Sequence, residues 1–118
     1  MLCSGLTIQD QRSVCRRFGA DYVEAPGEWK VGIALATLDQ LPLNGLRHPP
    51  EGDTTGWYLW GGEHPSQDPE FFQALHVEHL NRICPVAVPY LGLAPGWRFL
   101  LAPGHEDVWF DASLLEPE

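Results

Sequence analysis

Long apolar runs are missing from this chain: across 118 residues no stretch approaches the roughly 20 that a membrane span needs. The opening residues, Met1-Leu2-Cys3-Ser4-Gly5, lack a basic segment followed by an apolar one, so no secretory signal is expected. Cysteine is scarce. Cys3, Cys15 and Cys84 are an odd number without a Cys-x-x-Cys spacing, which points to reduced thiols in a cytoplasmic protein, two of them packed as small hydrophobes. Basic residues are few too: 7 Lys and Arg stand against 16 Asp and Glu, a net charge of -9. That field repels phosphate backbones and anionic lipid, which argues against nucleic acid and membrane as partners. It attracts a basic protein. The same acidity also serves plain solubility, so charge alone does not choose a function.

Nucleophile and cofactor motifs are missing as well. Ser4, Ser66 and Ser113 sit in no Gly-x-Ser-x-Gly setting. Cys84 is expected at a helix C-terminus, where the dipole disfavours a thiolate. Gly61-Gly62 has neither Walker nor dinucleotide spacing, and no cofactor is expected.

What the chain does have is apolar bulk, with 44% hydrophobic residues, 11% aromatic residues and five tryptophans. A chain of this size buries roughly two-thirds of its unfolded surface, so residues 1–118 are expected to form one self-sufficient domain. Thr7, with Asp10 three residues on, marks a helix start, and Gly19 marks its stop after Phe18. Residues 22–23, 29–36, 56–62, 97–102 and 108–110 read as strands, the last two as a hairpin with a five-residue loop. Asp68 and Pro69 announce a second helix that runs to Cys84 before Pro85. The expected fold is therefore α+β, a small antiparallel sheet of about four to five strands packed with two main helices. Residues 41–53, which hold Pro42, Pro49, Pro50, Gly45 and Gly52, read as a long irregular connection. Gly56-Trp57 and Gly96-Trp97 share a strand start, which implies matched sheet geometry.

The sharpest catalytic candidate is the pair His76 and His79. On a helix, histidines three apart share a face and can ligate one metal. A third ligand would have to come from His64, His105 or Cys84. At about 100° per residue both histidines fall on the side that carries Phe72, Leu80 and Ile83, with Glu78 turned away. That placement favours a structural role against the core. A small metal-binding protein or metalloenzyme is the alternative. Carboxylates such as Glu106-Asp107 read as a solvated turn.

Strand alternation puts Trp57 and Leu59 on one face and Tyr58 and Trp60 on the other, so one pair needs a cover other than the core. Loops held on a scaffold carry recognition, and the candidate partner-binding residues are Arg47, His48, Glu51, Asp53, Trp60 and Glu63, from the irregular connection and the aromatic strand.

Five segments together resemble a known group: Gly45-Leu46-Arg47-His48 to Gly52-Asp53, Gly56-Trp57-Tyr58-Leu59-Trp60-Gly61-Gly62-Glu63, Leu75-His76-Val77-Glu78-His79-Leu80, Pro95-Gly96-Trp97-Arg98-Phe99-Leu100 and Glu106-Asp107-Val108-Trp109-Phe110-Asp111. They are similar to the immunity protein 33 group of bacterial polymorphic-toxin systems, over about residues 31–115. The resemblance implies a non-catalytic protein that binds and neutralises a cognate toxin by occluding it. It names neither the toxin nor a contact residue.

Overall fold

A computed structural model describes residues 3–63, 68 and 70–116, with side chains from Asp10 onward. The chain is α+β as expected, but its sheet is larger and mixed. Helix α1 spans Cys3–Phe18. The strands are β1 (Lys30–Ile33), β2 (Leu43–Arg47), β3 (Thr54–Gly61), β4 (Gln73–His76), β5 (Trp97–Ala102) and β6 (His105–Phe110). A single turn of helix, α2 (Leu80–Ile83), follows β4, and 3-10 segments cover Leu35–Thr37, Val77–His79, Pro85–Tyr90 and Ala112–Leu115. The strands form one six-stranded sheet in the order β4-β1-β3-β2-β5-β6. β1 and β3 run parallel, and the other neighbours are antiparallel.

Three expectations need correction. First, residues 43–47 are not irregular: β2 pairs with β3 on one side and β5 on the other. Its turn-forming composition has another cause. A Cβ on Gly45 would lie 2.3 Å from the Phe99 ring, so only glycine lets that ring cross the strand. The Asn44 side chain donates to the carbonyls of Pro42 (3.2 Å) and Gly62 (2.6 Å), tying strand ends instead of making a turn.

Second, residues 70–84 do not form one helix: only Leu80–Ile83 is α-helical, after a 3-10 turn at Val77–His79. Residues 73–76 pair with β1 as an edge strand, and Val77 and Glu78 donate to the carbonyls of Trp29 (2.8 Å) and Gly27 (3.0 Å). Tertiary pairing overrides the helical propensity there. Pro69, the expected first helical residue, lies outside the described residues. Third, the β5–β6 hairpin turns on Pro103 and Gly104 alone, because the pairing continues to Ala102–His105; Gly104, at φ 70°, supplies the positive φ.

Smaller differences occur elsewhere. The α1 backbone is helical from Cys3, so Thr7 lies within the helix, while Gly19 does take the left-handed conformation at φ 76°. Tyr22 makes an isolated bridge to Leu93. Gly56 and Gly96 share a positive φ, 90° and 99°, but not a strand start: Gly56 lies inside β3 and Gly96 just before β5.

The two faces of the sheet differ. Val31, Ile33, Trp57, Leu59, Phe99 and Leu101 point to one side, where Val14, Cys15, Leu80, Cys84, Ala87, Val88, Leu91 and Leu93 complete the core. α1, α2 and the Pro85–Tyr90 segment thus form a single covering layer. Cys15 and Cys84 are the buried, free thiols, and burial pushes both above the ordinary cysteine pKa. Arg17 and Tyr90 both reach the Glu106 carboxylate, so α1 and the covering layer are clamped to β6. Burial, reinforced by the bond to Glu106, pushes the Tyr90 phenol up to about 12. No helix among the described residues is long and apolar enough to cross a membrane.

Candidate functional site: the uncovered face of the sheet

Residues adjacent in sequence serve opposite faces. Pairing places Leu46 opposite Tyr58 and Asn44 opposite Trp60, on the side away from the helices. Gly32 pairs with Tyr58 from β1, and a Cβ there would come 2.7 Å from the Tyr58 ring. That ring therefore lies flat across β1. Phe72, just before β4, packs edge-on against Tyr58 (ring centroids 5.2 Å apart, planes at 72°) and Trp60 (6.2 Å, 79°). His48 closes the row, 5.7 Å from Tyr58 at 80°. These rings bound an open cleft of about 550 Å³ whose wall also includes Leu46, Pro49, Glu51 and Thr54.

The cleft is built on backbone contacts. His48 N–H donates to the Gly56 carbonyl at 2.9 Å. A Cβ on Gly56 would fall 1.8 Å from the His48 carbonyl oxygen, so glycine is required at this crossing. His48 Nδ1 lies 3.1 Å from the Leu114 carbonyl. A carbonyl only accepts, so Nδ1 carries the proton and Nε2 is the free acceptor of the neutral ring. The same contact docks the C-terminal Ala112–Leu115 turn beside the cleft. Glu51 and Thr54 cross a tight turn, with Thr54 Oγ1 donating to the Glu51 carbonyl at 2.7 Å. The Glu51 side chain is exposed and makes no ion pair with the described residues.

The six candidate residues separate clearly. His48, Glu51 and Trp60 line the cleft together. Asp53 stands nearby, paired with Lys30 at 3.2 Å. Glu63 is exposed beyond the end of β3 and does not line it. Arg47 points the other way and is 0% exposed, presenting no surface to a partner. Its guanidinium donates to the carbonyls of Thr55 (2.9 Å), Val23 (2.8 Å), Leu93 (2.8 Å), Leu91 (3.3 Å) and Glu24 (3.2 Å). Burial pulls its pKa down to about 10, so it stays charged at neutral pH. It is an internal clasp joining β3, residues 23–24 and the 91–93 loop.

Sequence reasoning missed Tyr58 and Phe72 as site residues. Tyr58 is 39% exposed, although it stands in the middle of the sheet. Strand alternation already set it beside Trp60, whereas Phe72 was hidden by its assignment to a helix. Trp60 is itself buried, at 3% exposure, and its indole N–H finds no hydrogen-bond partner among the described residues.

The metal alternative has a different geometry from the one expected. His76 is exposed on β4 and His79 half-buried in the following turn, rather than both on one helix stripe, with rings 5.7 Å apart. Among the described residues no group of three or more His, Cys, Asp or Glu is placed to hold an ion. His64, one proposed third ligand, lies outside them.

The family model described as the Imm33-like domain matches residues 10–111, most of the chain. No curated protein and no solved structure matches it.

Proposed function

We propose that this chain, which belongs to the Imm33-like domain family, is an immunity protein that binds a cognate toxin in the cytoplasm and neutralises it by occlusion, with no reaction of its own. The family match carries the reading. The sheet face that no described helix covers supports it, because an aromatic, partly exposed cleft with a carboxylate in its wall has the composition of a protein-binding patch. The toxin docks on this face, over His48, Glu51, Tyr58, Trp60 and Phe72. A net charge of -9 raises the encounter rate with a basic toxin and makes that rate fall as salt rises.

Co-expression with the toxin domain encoded beside it tests the proposal. Growth should be restored, and the purified pair should co-elute. Failure of both rescue and binding refutes the immunity reading.

A further inference from the structure

We propose that the cleft on the open face receives an arginine side chain of the toxin, its guanidinium lying against the Tyr58 and Phe72 rings and pairing with Glu51. This rests on the toxin-binding reading and adds the chemistry of the contact. Three observations carry it.

Tyr58, 39% exposed, lines the cleft beside Phe72, so ring surface is left for a cation. A planar guanidinium can lie on such a surface and still reach a carboxylate with two parallel bonds, which a lysine ammonium cannot do. Glu51 is the carboxylate in the wall, and it is not committed to any described cation.

Charge segregation makes the third case. Of the seven basic residues, Lys30 and Arg98, the two on the open side, are neutralised by Asp53 and Asp111. Arg47 is sealed in carbonyls, and Arg17 is paired with Glu106 across the helical side. Arg12, Arg16 and Arg82 stand on α1 and α2, in the layer behind the sheet. No uncommitted cation of the chain itself competes for the cleft. At about 550 Å³ it falls within the usual range for a binding pocket, about 300–1,000 Å³, with room for one long side chain and its flanking backbone.

NMR titration of the isolated protein with N-acetyl-arginine amide, its neutral isostere N-acetyl-citrulline amide and the lysine analogue tests the assignment without the toxin. The arginine compound should shift His48, Tyr58 and Phe72 saturably while leaving Tyr22, on the helical side, in place. The citrulline and lysine compounds should bind at least about fivefold more weakly, and Glu51→Gln should lose about the same factor for arginine, the scale of one desolvated cation–π and ion-pair contact. Glu51 is exposed, so this variant folds. Equal binding of arginine and citrulline, an unchanged Glu51→Gln variant, or shifts away from the cleft would overturn the proposal. Equal binding by the lysine analogue would overturn the choice of arginine. Rescue from the toxin without an arginine response overturns only the cleft assignment. An arginine response without rescue supports the cleft assignment and overturns the toxin reading.

Discussion

Replacing Arg47 by Met, which keeps the length of the side chain and deletes its charge, separates a buried clasp from a partner contact. The carbonyls of Thr55, Val23, Leu93 and Glu24 lose this donor, three of them bound at 2.9 Å or less, while Leu91 keeps the Trp57 indole N–H at 2.9 Å. At about 1.5 kcal/mol for each of these four acceptors, the loss is about 6 kcal/mol. An opposing gain comes from removing a desolvated cation. The fall of the Arg47 pKa from 12.5 to about 10 corresponds to a desolvation penalty of about 3 kcal/mol. The net expectation is a destabilisation of about 3 kcal/mol. With a urea m-value of about 1.5 kcal/mol/M, the unfolding midpoint should drop by about 2 M, with the slope unchanged. Circular dichroism under urea measures it. Arg47→Lys, with three donors in place of a planar fork, should lie between wild type and Met. A Met variant within 0.5 M of the wild-type midpoint would refute the account, because the carbonyls would then have other partners.

Three further outcomes follow from the packing. Gly56→Ala, whose Cβ meets the His48 carbonyl at 1.8 Å and whose φ is 90°, should destabilise by more than about 3 kcal/mol; Gly104→Ala, with nothing within 4 Å of its Cβ, should lose only about 1 kcal/mol from its φ of 70°. Parallel thermal melts compare them, and equal effects would contradict the clash. Tyr90 binds its proton more tightly when folded than the ordinary phenol value of 10. The folded state therefore holds more protons than the unfolded one between about pH 10 and 12, and stability should fall across that window. Tyr90→Phe should flatten the slope in alkaline urea melts. With Cys3 changed to Ala, the thiol reagent DTNB should label Cys15 and Cys84 only as fast as the protein opens, since both are buried with raised pKa values. Instant labelling of either in the native state would contradict their placement.

The segments legible from sequence were those in which local signals and final structure agree. The alternation of Trp57, Tyr58, Leu59 and Trp60 gave β3 and its two faces, because β3 is long enough for a period of two to show. Gly19 ended α1 for a purely local reason. What was hidden depended on neighbours distant in sequence. Asn44 and Gly45 look like a turn until the Phe99 ring and the Gly62 carbonyl are placed beside them. Residues 73–76 carry helix formers, and only pairing with β1 makes them a strand. The candidate partner-binding residues part to two faces for the same reason. His48 and Glu51 sit on the cleft, whereas Arg47, one residue earlier, turns to the opposite face once residues 43–47 are a strand instead of a loop.

That alternation yields the most direct test of a two-faced sheet. Arg47 at the end of β2 and Trp57 and Leu59 in β3 point into the core, while His48, just past β2, and Tyr58 and Trp60 in β3 point toward the cleft. Substitutions should therefore separate by parity. Leu59→Ala, at a 0% exposed position, should lose about 2–5 kcal/mol of stability and affect toxin binding only through the folded fraction. Tyr58→Ala removes a ring that is 39% exposed, so its stability loss should be under about 1.5 kcal/mol. Its affinity for the toxin should nevertheless fall by at least about tenfold, equivalent to 1.4 kcal/mol. Calorimetry with the purified toxin, at a temperature where both variants are fully folded, makes the comparison. If Leu59→Ala weakened binding as much as Tyr58→Ala under those conditions, the helical side would be part of the interface and the open face could not be the recognition surface on its own.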